Sequence, residues 1–406
     1  MLLPGISCRE IVRTALARLW TKKKKTASPS TSAYCQARKR IPVPWLVSIW
    51  RDLTERIENA APADQCWMDR EVIVIDGSGF SMPDTPANQK AYPQSWRQKP
   101  SCGFPTARWI AAFSLATGAM VEAAWDALRV HERTLFHRIW DRFQDGAVIL
   151  ADRGFCGYAD FWVLLQRGID SVMRKHQRRT KGVREVRRLN KNDRIVQWIK
   201  TKAPISWMSS NEWLAMPETL TVREVSFTVD IPGFRTRRIT VATTLLDAAQ
   251  YPASDLVELY RRRWMAELFL RDIKISMGMD VLRCKSPEMV ERELWIHLIA
   301  YNLVRALMLQ AALKKGAPLF RISLTGAIAT IRQWEPVIGA IVGVRKIRQI
   351  LRTILEYIVR DQVPHRPDRS EPRAIKRRKK NYQLLNKPRA DFKEIRHRNK
   401  YKKSLS

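Results

Sequence analysis

DLVELYRRRWMAELFLRDIKISMG, residues 255–278, has the pattern of one amphipathic helix with an additional polar face. Asp255 and Glu258 have the spacing of a capping box and Gly278 follows the last periodic residue, so we predict one helix between these limits. Successive residues of an α-helix are rotated by about 100°, so five polar residues fall on one stripe of the helix surface: Tyr260, Arg263, Glu267, Arg271 and Lys274. On this stripe the carboxylate of Glu267 is surrounded by cationic side chains and the Tyr260 phenol. An amphipathic helix needs only an apolar face and a wet one. The extra face therefore indicates a role beyond solubility.

The same spacing also fits ordinary surface ion pairs. Arg263, Glu267 and Arg271 follow one another at intervals of four residues, and exposed pairs at this spacing contribute about 0.3–0.5 kcal/mol each. Structural ion pairs are commoner than active sites. From this helix alone, the ion-pair interpretation is favoured, and the rest of the chain has to decide.

The whole chain of 406 residues is strongly basic, with 73 Lys and Arg against 39 Asp and Glu and a net charge of +34. A soluble protein with this charge is expected to meet a polyanion, with nucleic acid the first candidate and an anionic membrane the second. The most apolar run, Leu294–Leu313, contains His297, Asn302, Arg305 and Gln310. Because these groups would be costly in lipid, we predict a buried core helix and no membrane partner.

The cysteine and histidine spacings argue against a zinc centre. The six cysteines are scattered with no CxxC pair, and the six histidines show no HxH or HExxH spacing. The N-terminus has no basic, apolar and small-residue pattern of a secretory signal. These features predict reduced thiols in the cytoplasm.

Two aspartates follow short apolar runs that are typical of buried strands. EVIVIDGSGF at 71–80 predicts a strand that ends at Asp76, and AVIL at 147–150 predicts a second strand just before Asp152. The intervening pattern predicts a hairpin and crossover helices, so we expect a mixed sheet flanked by helices. Functional groups gather at the carboxyl ends of parallel strands in such sheets. Taken singly, each aspartate could equally be a turn or N-cap residue.

Composition divides the rest of the chain. Lysines 22–25 form a basic run that fits a solvated loop or a DNA contact equally well. We predict six regions: a helical N-terminal DNA-binding region at 1–66, the first part of an α/β core at 67–174, a β-rich insertion at 175–250, the remainder of the core at 251–313, a helical C-terminal region at 314–372 and a basic flexible tail at 373–406.

Asp76, Asp152 and Glu267 together form a set with a specific chemistry. Hard carboxylate oxygens bind Mg²⁺ or Mn²⁺, with substrate phosphate filling the remaining positions. Two such ions can activate the attacking oxygen and stabilise the leaving one in phosphoryl transfer. In a very basic protein, this set favours an enzyme that acts on nucleic acid.

These residues resemble the motifs of the insertion-sequence-four family of DDE transposases. Tyr260, Arg263, Glu267 and Lys274 stand as Y-x2-R-x3-E-x6-K. VIDGSGFSMPDTPANQ at 74–89 resembles the first catalytic-aspartate block of that family, and ILADRGFCGY at 149–158 resembles the second. GFPTARWIAAFSLATG at 103–118 and AYNLVR at 300–305 are also similar, and the resemblance spans about residues 33–388.

The resemblance implies an RNase H-like catalytic core with a β-rich insertion before the catalytic glutamate. It implies that Asp76, Asp152 and Glu267 are catalytic and bind two Mg²⁺ (or Mn²⁺) ions. Tyr260, Arg263 and Lys274 would contact phosphates at the transposon end, and Arg271 on the same stripe is grouped with them as a DNA-binding candidate.

The expected reaction is nicking of DNA by water, followed by attack of the freed 3′-OH on target DNA. The expected partners are transposon ends, target DNA and a second copy of the chain in the end complex, in the cytoplasm at the nucleoid. Many family members pass through a hairpin with a flipped base, for which Trp198, Trp207 and Trp213 are candidate stacking residues.

Two other functions fit the same charge pattern. The region before Asp76 is short, which favours a DNA-binding protein that has lost the reaction of its transposase ancestors. The retained carboxylates favour the enzyme. An RNase H-like nuclease that cleaves DNA without joining it is the third possibility.

Overall fold

The structure is a computed structural model that describes residues 6–21, 28–177, 179, 181–202, 204–205, 207–229, 237–341, 343–364, 387–388 and 391. The lysine run at 22–25 lies outside the described residues. So does the basic tail predicted at 373–406, apart from residues 387, 388 and 391.

Nine strands form one sheet: β1 Val72–Ser81, β2 Thr106–Ser114, β3 Met120–Ala127, β4 Val148–Ala151, β5 Asp170–Arg174, β6 Val183–Asn190, β7 Asp193–Ile199, β8 Thr219–Val229 and β9 Arg237–Thr243. The helices are α1 Cys8–Thr21, α2 Ser32–Arg40, α3 Val43–Asn59, α4 Pro86–Ala91, α5 Glu132–His137, α6 Tyr158–Gln166, α7 Ser210–Ala215, α8 Ala253–Arg262, α9 Trp264–Arg271, α10 Pro287–Lys315, α11 Leu324–Ala340 and α12 Val344–Arg360. Short 3₁₀ turns occupy Ala63–Gln65, Trp140–Arg142 and Leu319–Arg321, and a π-helical turn occupies Asp272–Ser276.

The strand order is β3-β2-β1-β4-β5-β9-β8-β7-β6. β1 pairs with β4 and β4 with β5 in parallel, whereas the other neighbours pair antiparallel. The prediction of a mixed sheet flanked by helices is therefore confirmed. The strands at 183–243 extend this sheet, because β9 pairs with the free edge of β5.

The predicted end of the first strand at Asp76 is wrong. β1 continues to Ser81, since the antiparallel partner β2 pairs with it along its whole length, from Ile73 opposite Ser114 to Ser81 opposite Thr106. The parallel partner β4 ends earlier, at Ala151. Asp76 therefore lies inside β1, at a point where the strand pairs with β2 on one side and has no paired strand on the β4 side.

Two apolar cores cover the two faces of the sheet because side chains alternate along each strand. Val74 and Phe80 of β1 face the core that contains α9 and α10. Ile73 and Ile75 face the second core, which contains α5 and α6. Asp76 lies two residues after Val74, so its side chain points to the same face of the sheet, the one covered by α9.

Helix α10 contains the predicted core helix Leu294–Leu313. It is long and apolar enough to cross a membrane by length and composition, yet 56% of its most apolar window is buried inside the protein. Its buried Asn302 side chain accepts from the backbone N–H of Met120 (2.9 Å) and donates to the carbonyl of Met120 (2.9 Å) and to Thr54 (2.8 Å). These polar groups are satisfied by the sheet and by α3, as in a core helix.

The stretch at residues 255–278, which we call the signature helix, differs from the single helix that we predicted. It begins at Ala253 after Pro252, which makes no side-chain cap, so the capping box of Asp255 and Glu258 is not formed. Arg263 separates α8 from α9, and the π-helical turn then ends before Gly278, whose φ is +71°. Glycine reaches this left-handed conformation without the steric penalty of a Cβ atom, so the predicted end is correct.

Candidate active site

Asp76 and Asp152 lie level with each other on neighbouring strands. Val74 is opposite Leu150 in the β1–β4 pair, so both aspartates follow the same rung by two residues. Each carboxylate is held by a backbone N–H: Gly77 donates to Asp76 Oδ1 (2.8 Å), and Gly154 donates to Asp152 Oδ1 (2.6 Å). The sheet thus fixes two carboxylates side by side.

Arg263 joins Glu267 to this pair. Its Nη2 lies 2.9 Å from Glu267 Oε1, and its Nη1 lies 4.0 Å from Asp76 Oδ2. The Arg263 side chain is 18% exposed and that of Asp76 is 22% exposed. An ion pair at four-residue spacing is therefore present, as the alternative interpretation required, but it is half-buried and extends to Asp76 on the sheet.

The electrostatics of Asp76 indicate that all three carboxylates are close together. Burial, together with the negative charges of Asp152 and Glu267, raises the pKa of Asp76 to about 6. The Gly77 N–H and the Arg263 guanidinium act in the opposite direction. Carboxylates that lie close together repel one another, which favours a nearby cation or a raised pKa, and Asp76 has both.

Two further residues of the predicted stripe contact this cluster. Lys274 donates from Nζ to Ser78 Oγ (2.8 Å), and Ser78 follows Asp76 by two positions on the same strand face. Tyr260 is buried, which raises its pKa; the charges of Arg263 and Arg174 oppose this rise, and that of Asp152 adds to it. Sequence analysis missed Ser78, although its distance of two residues from Asp76 within a strand could have indicated it.

Arg271 does not share these contacts. Its side chain is 64% exposed, and its guanidinium lies 4.0 Å from the carboxylate of Asp272. Eight residues of α-helix overshoot two full turns by about 80°, so Arg271 is rotated away from Arg263. Lys274 is eleven residues after Arg263, close to three full turns, so it lies on the same side of the helix as Arg263.

Of the three tryptophans suggested for base stacking, two are buried and one is partly buried. Trp198 is fully buried and donates to Glu224 Oε1 (3.0 Å), and Trp213 is also buried. Trp207 is partly buried, with its ring 3.9 Å from that of His137. Exposed tryptophans lie elsewhere, including Trp96 at 82% and Trp264 at 50% exposure.

Asp76, Asp152 and Glu267 offer hard oxygen donors of the kind that a divalent cation prefers. Within the described ranges, no three His, Cys, Asp or Glu side chains are already arranged to hold a metal ion. Arg263 instead supplies the positive charge between Asp76 and Glu267.

Comparisons with known proteins identify the family. A family model described as the transposase DDE domain matches residues 67–303. The transposase InsG for insertion sequence element IS4, from Escherichia coli strain K12, is 28% identical over 354 residues, or 86% of this chain and 76% of that protein.

A solved structure is also similar, at a lower level. It is the cryo-EM structure of the piggyBac transposase synaptic complex with hairpin DNA, with a TM-score of 0.36 and 12% identity over 70% of this chain and 57% of that one. A TM-score this low carries no argument about the fold. The match of the DDE domain covers more than half of this chain and, with the IS4 relative, confirms the resemblance seen in the motifs. The chain belongs to the transposase DDE domain family and resembles the transposase of insertion sequence element IS4.

Proposed function

We propose that this chain is an active transposase, which cuts DNA at the ends of an insertion sequence and joins the freed 3′ ends to target DNA. The observation that carries this proposal is the bridge that Arg263 makes between Asp76 and Glu267, together with the negative charge of Asp152 acting on Asp76. Three clustered anions are unfavourable without positive charge, so their presence in a DDE-family protein supports a phosphoryl-transfer site.

We infer an RNase H-like core from the connectivity of the sheet. β1, β2 and β3 run antiparallel, and β4 and β5 continue beyond β1 in parallel. We assign 67–174 and 251–313 to this core. The remaining regions are a β-rich insertion at 175–250, a helical DNA-binding region at 1–66, a helical region at 314–372 and a basic tail at 373–406.

The carboxylates would hold two Mg²⁺ or Mn²⁺ ions, which members of the DDE family generally use. Bound there, such ions would activate the attacking oxygen and stabilise the leaving one. Gly77 and Gly154 orient the aspartates through their N–H groups, and the packing of α9 on β1 and β2 directs Glu267 toward them. The protein thus supplies position and charge, with no covalent step of its own.

The cations of the signature helix would bind DNA. We infer that Arg263 exchanges its carboxylate partners for a phosphate when DNA and ions enter, and that Lys274 binds a phosphate from its place beside Ser78. Tyr260 packs next to Arg263 and would orient it. Arg271 is exposed and would contact the backbone farther from the carboxylates.

The partners follow from charge and family. A net charge of +34 suits DNA, and the family of this chain is that of the transposase DDE domain. We propose that two copies of this chain pair two transposon ends and then engage target DNA. The protein would accordingly reside in the cytoplasm, at the nucleoid.

The test is cleavage of labelled DNA that carries the inverted repeats flanking the reading frame. With Mg²⁺ or Mn²⁺ we expect nicking and then joining, and with a chelator we expect neither. Nicking without joining would indicate a nuclease. Binding of the ends without any cleavage would indicate a DNA-binding protein derived from a transposase, and the proposal would be wrong.

A further inference from the structure

Three cysteines from distant parts of the chain lie around Arg38 on α2. Arg38 Nη1 donates to Cys8 Sγ at the start of α1 (3.6 Å), and its Nη2 donates to Cys284 Sγ in the loop before α10 (3.5 Å). The thiol of Cys35, one turn before Arg38, is hydrogen-bonded to that of Cys8. Their scattered spacing in the sequence did not indicate this cluster, which forms because α1 packs against α2.

Cys8 has the environment of a reactive thiol. Cys8 and Cys35 are both partly exposed, so a small solute can reach them. A guanidinium beside a thiol stabilises the thiolate, which is the nucleophilic form of cysteine. Arg38 is held in place for this role, because it also lies 5.7 Å from the centre of the Tyr34 ring.

Cys284 differs from the other two cysteines. Burial, together with the negative charge of Glu293, raises the pKa of Cys284 to about 12, and the charge of Arg38 opposes this rise. The backbone N–H of Cys284 donates to Glu293 Oε2 (2.9 Å), which fixes the residue in its loop. Cys284 therefore stays protonated at neutral pH and accepts the hydrogen bond that orients Arg38.

We propose that Cys8 and Cys35 form a reversible disulfide when the chain meets a hydroperoxide, and that Arg38 activates Cys8 for this reaction. The Cys8 thiolate attacks one oxygen of hydrogen peroxide, the O–O bond breaks, and the departing hydroxide takes up a proton and leaves as water. The Cys35 sulfur then attacks the sulfenic sulfur of Cys8. The S–S bond forms, the S–O bond breaks, and the hydroxyl leaves with the Cys35 proton as a second water. Two thiols are oxidised, and one peroxide is reduced.

The disulfide would tie α1 to a helix that is already anchored. Arg292 on α10 donates from Nε to the carbonyl of Ile41, directly after α2 (2.8 Å). The far end of α1 packs against α11. Oxidation would thus join two helices of the N-terminal region covalently. In a reducing compartment such bonds are transient and act in redox sensing.

The experiment treats the full, reduced chain with one molar equivalent of hydrogen peroxide and counts its free thiols after unfolding. We expect the count to fall from six to four, because one disulfide consumes two of the six cysteines, and to return to six after dithiothreitol. Trypsin places the three thiols of the cluster on separate peptides, 1–9, 26–38 and 284–285. Mass spectrometry without reduction should find 1–9 linked to 26–38.

Matched variants separate the roles of the residues. Cys8→Ser and Cys35→Ser should each keep all of their remaining thiols under the same treatment. Cys102→Ser changes a cysteine outside the cluster and should lose two thiols, as the wild type does. Arg38→Gln should slow disulfide formation roughly 3- to 10-fold, whereas Arg38→Lys keeps the charge and should retain most of the rate. Thermal unfolding of the reduced variants checks that each one is folded.

Three results would overturn the inference. These are a free-thiol count that stays at six, a disulfide that joins Cys284 to either of the other cysteines, and oxidation of Arg38→Gln at the wild-type rate. None of these measurements involves DNA. Failure of the disulfide therefore leaves the proposed function intact, and absence of DNA cleavage leaves this inference intact.

Discussion

At the scale of single residues, Arg263 supplies the positive charge that offsets the carboxylates of the candidate site. It contacts Glu267 in α9, the helix that begins directly after it, and Asp76 on the sheet, and it opposes the rise in the pKa of Asp76. The sequence stripe predicted that Arg263 and Glu267 would be neighbours. It could not predict the contact with Asp76, because that depends on how α9 packs against a strand almost 190 residues earlier in the chain.

Asp76→Asn should stabilise the metal-free protein. The pKa of Asp76 is about 6 in the folded state against 3.8 for the free side chain, so the folded protein binds the proton more tightly. Stability of the wild type should then fall as pH rises from about 4 to about 6, and Asn avoids this loss. We expect a gain of roughly 1–3 kcal/mol at pH 7.5 that disappears below pH of about 4.

Chemical denaturation in the presence of a chelator, at several pH values, measures this gain. Mg²⁺ should reduce it, because only the wild-type carboxylate ligates the ion. An Asp76→Asn variant that is less stable than the wild type at pH 7.5 would show that the Asp76 carboxylate is held by favourable contacts instead.

Arg263→Ala should weaken cleavage and formation of the end complex while the protein stays folded. It removes the cation beside Asp76 and Glu267, so the pKa of Asp76 should rise above about 6, and the acid limb of the pH–rate profile should move to higher pH. Arg261→Ala, on another face of the helix, is the matched control. If Arg263→Ala left both activities and the profile unchanged, a surface ion pair would be the better account.

At the scale of elements, the apolar side of α9 packs against β1 and β2, next to the strand that carries Asp76. Ala266, Phe269 and Ile273 are buried, and the Phe269 ring lies 5.3 Å from that of Phe113 on β2. The apolar stripe of this helix was predictable from its 3.6-residue period. The interruption at Arg263 and the π-helical turn were not, since both depend on packing rather than on the period.

Phe269→Ala should destabilise the protein by about 3–5 kcal/mol, as a large cavity in a core does. Phe269→Leu conserves more volume and should cost much less. Denaturant unfolding measures both changes. Cleavage by the surviving folded Phe269→Ala protein should also fall, because Glu267 loses its support. An effect of Phe269→Ala below about 1 kcal/mol would show that the packing of α9 does not hold the site.

At the scale of the whole molecule, local patterns predicted the kinds of element better than their partners. Hairpin β2–β3 joins neighbours in sequence and was predictable from the turn at Thr117 and Gly118. The pairing of β9 with β5 joins segments about 70 residues apart, and no local signal specifies it. The end of β1 was also mispredicted. The strand continues past Asp76 because it pairs there with β2, and the local sequence does not specify that pairing.

DNA binding by the whole molecule should be strongly electrostatic, given its net charge of +34. The logarithm of affinity should fall linearly with the logarithm of salt concentration, with a slope of roughly −0.9 per phosphate neutralised. Removal of the residues after Pro372 should flatten that slope and leave the thermal unfolding of the rest unchanged. An affinity independent of salt would contradict this account of binding.

The most direct test of the central claim is Glu267→Gln in a Mg²⁺-dependent cleavage assay on transposon-end DNA, with DNA binding measured in parallel. Gln keeps the size of the side chain and removes the charge that a metal ion needs. We predict loss of both nicking and joining with end binding intact, and wild-type behaviour for Glu258→Gln, which changes an exposed carboxylate two turns away. If Glu267→Gln altered only stability or binding and still cut DNA, Glu267 would be a structural ion-pair residue and the catalytic assignment would be wrong.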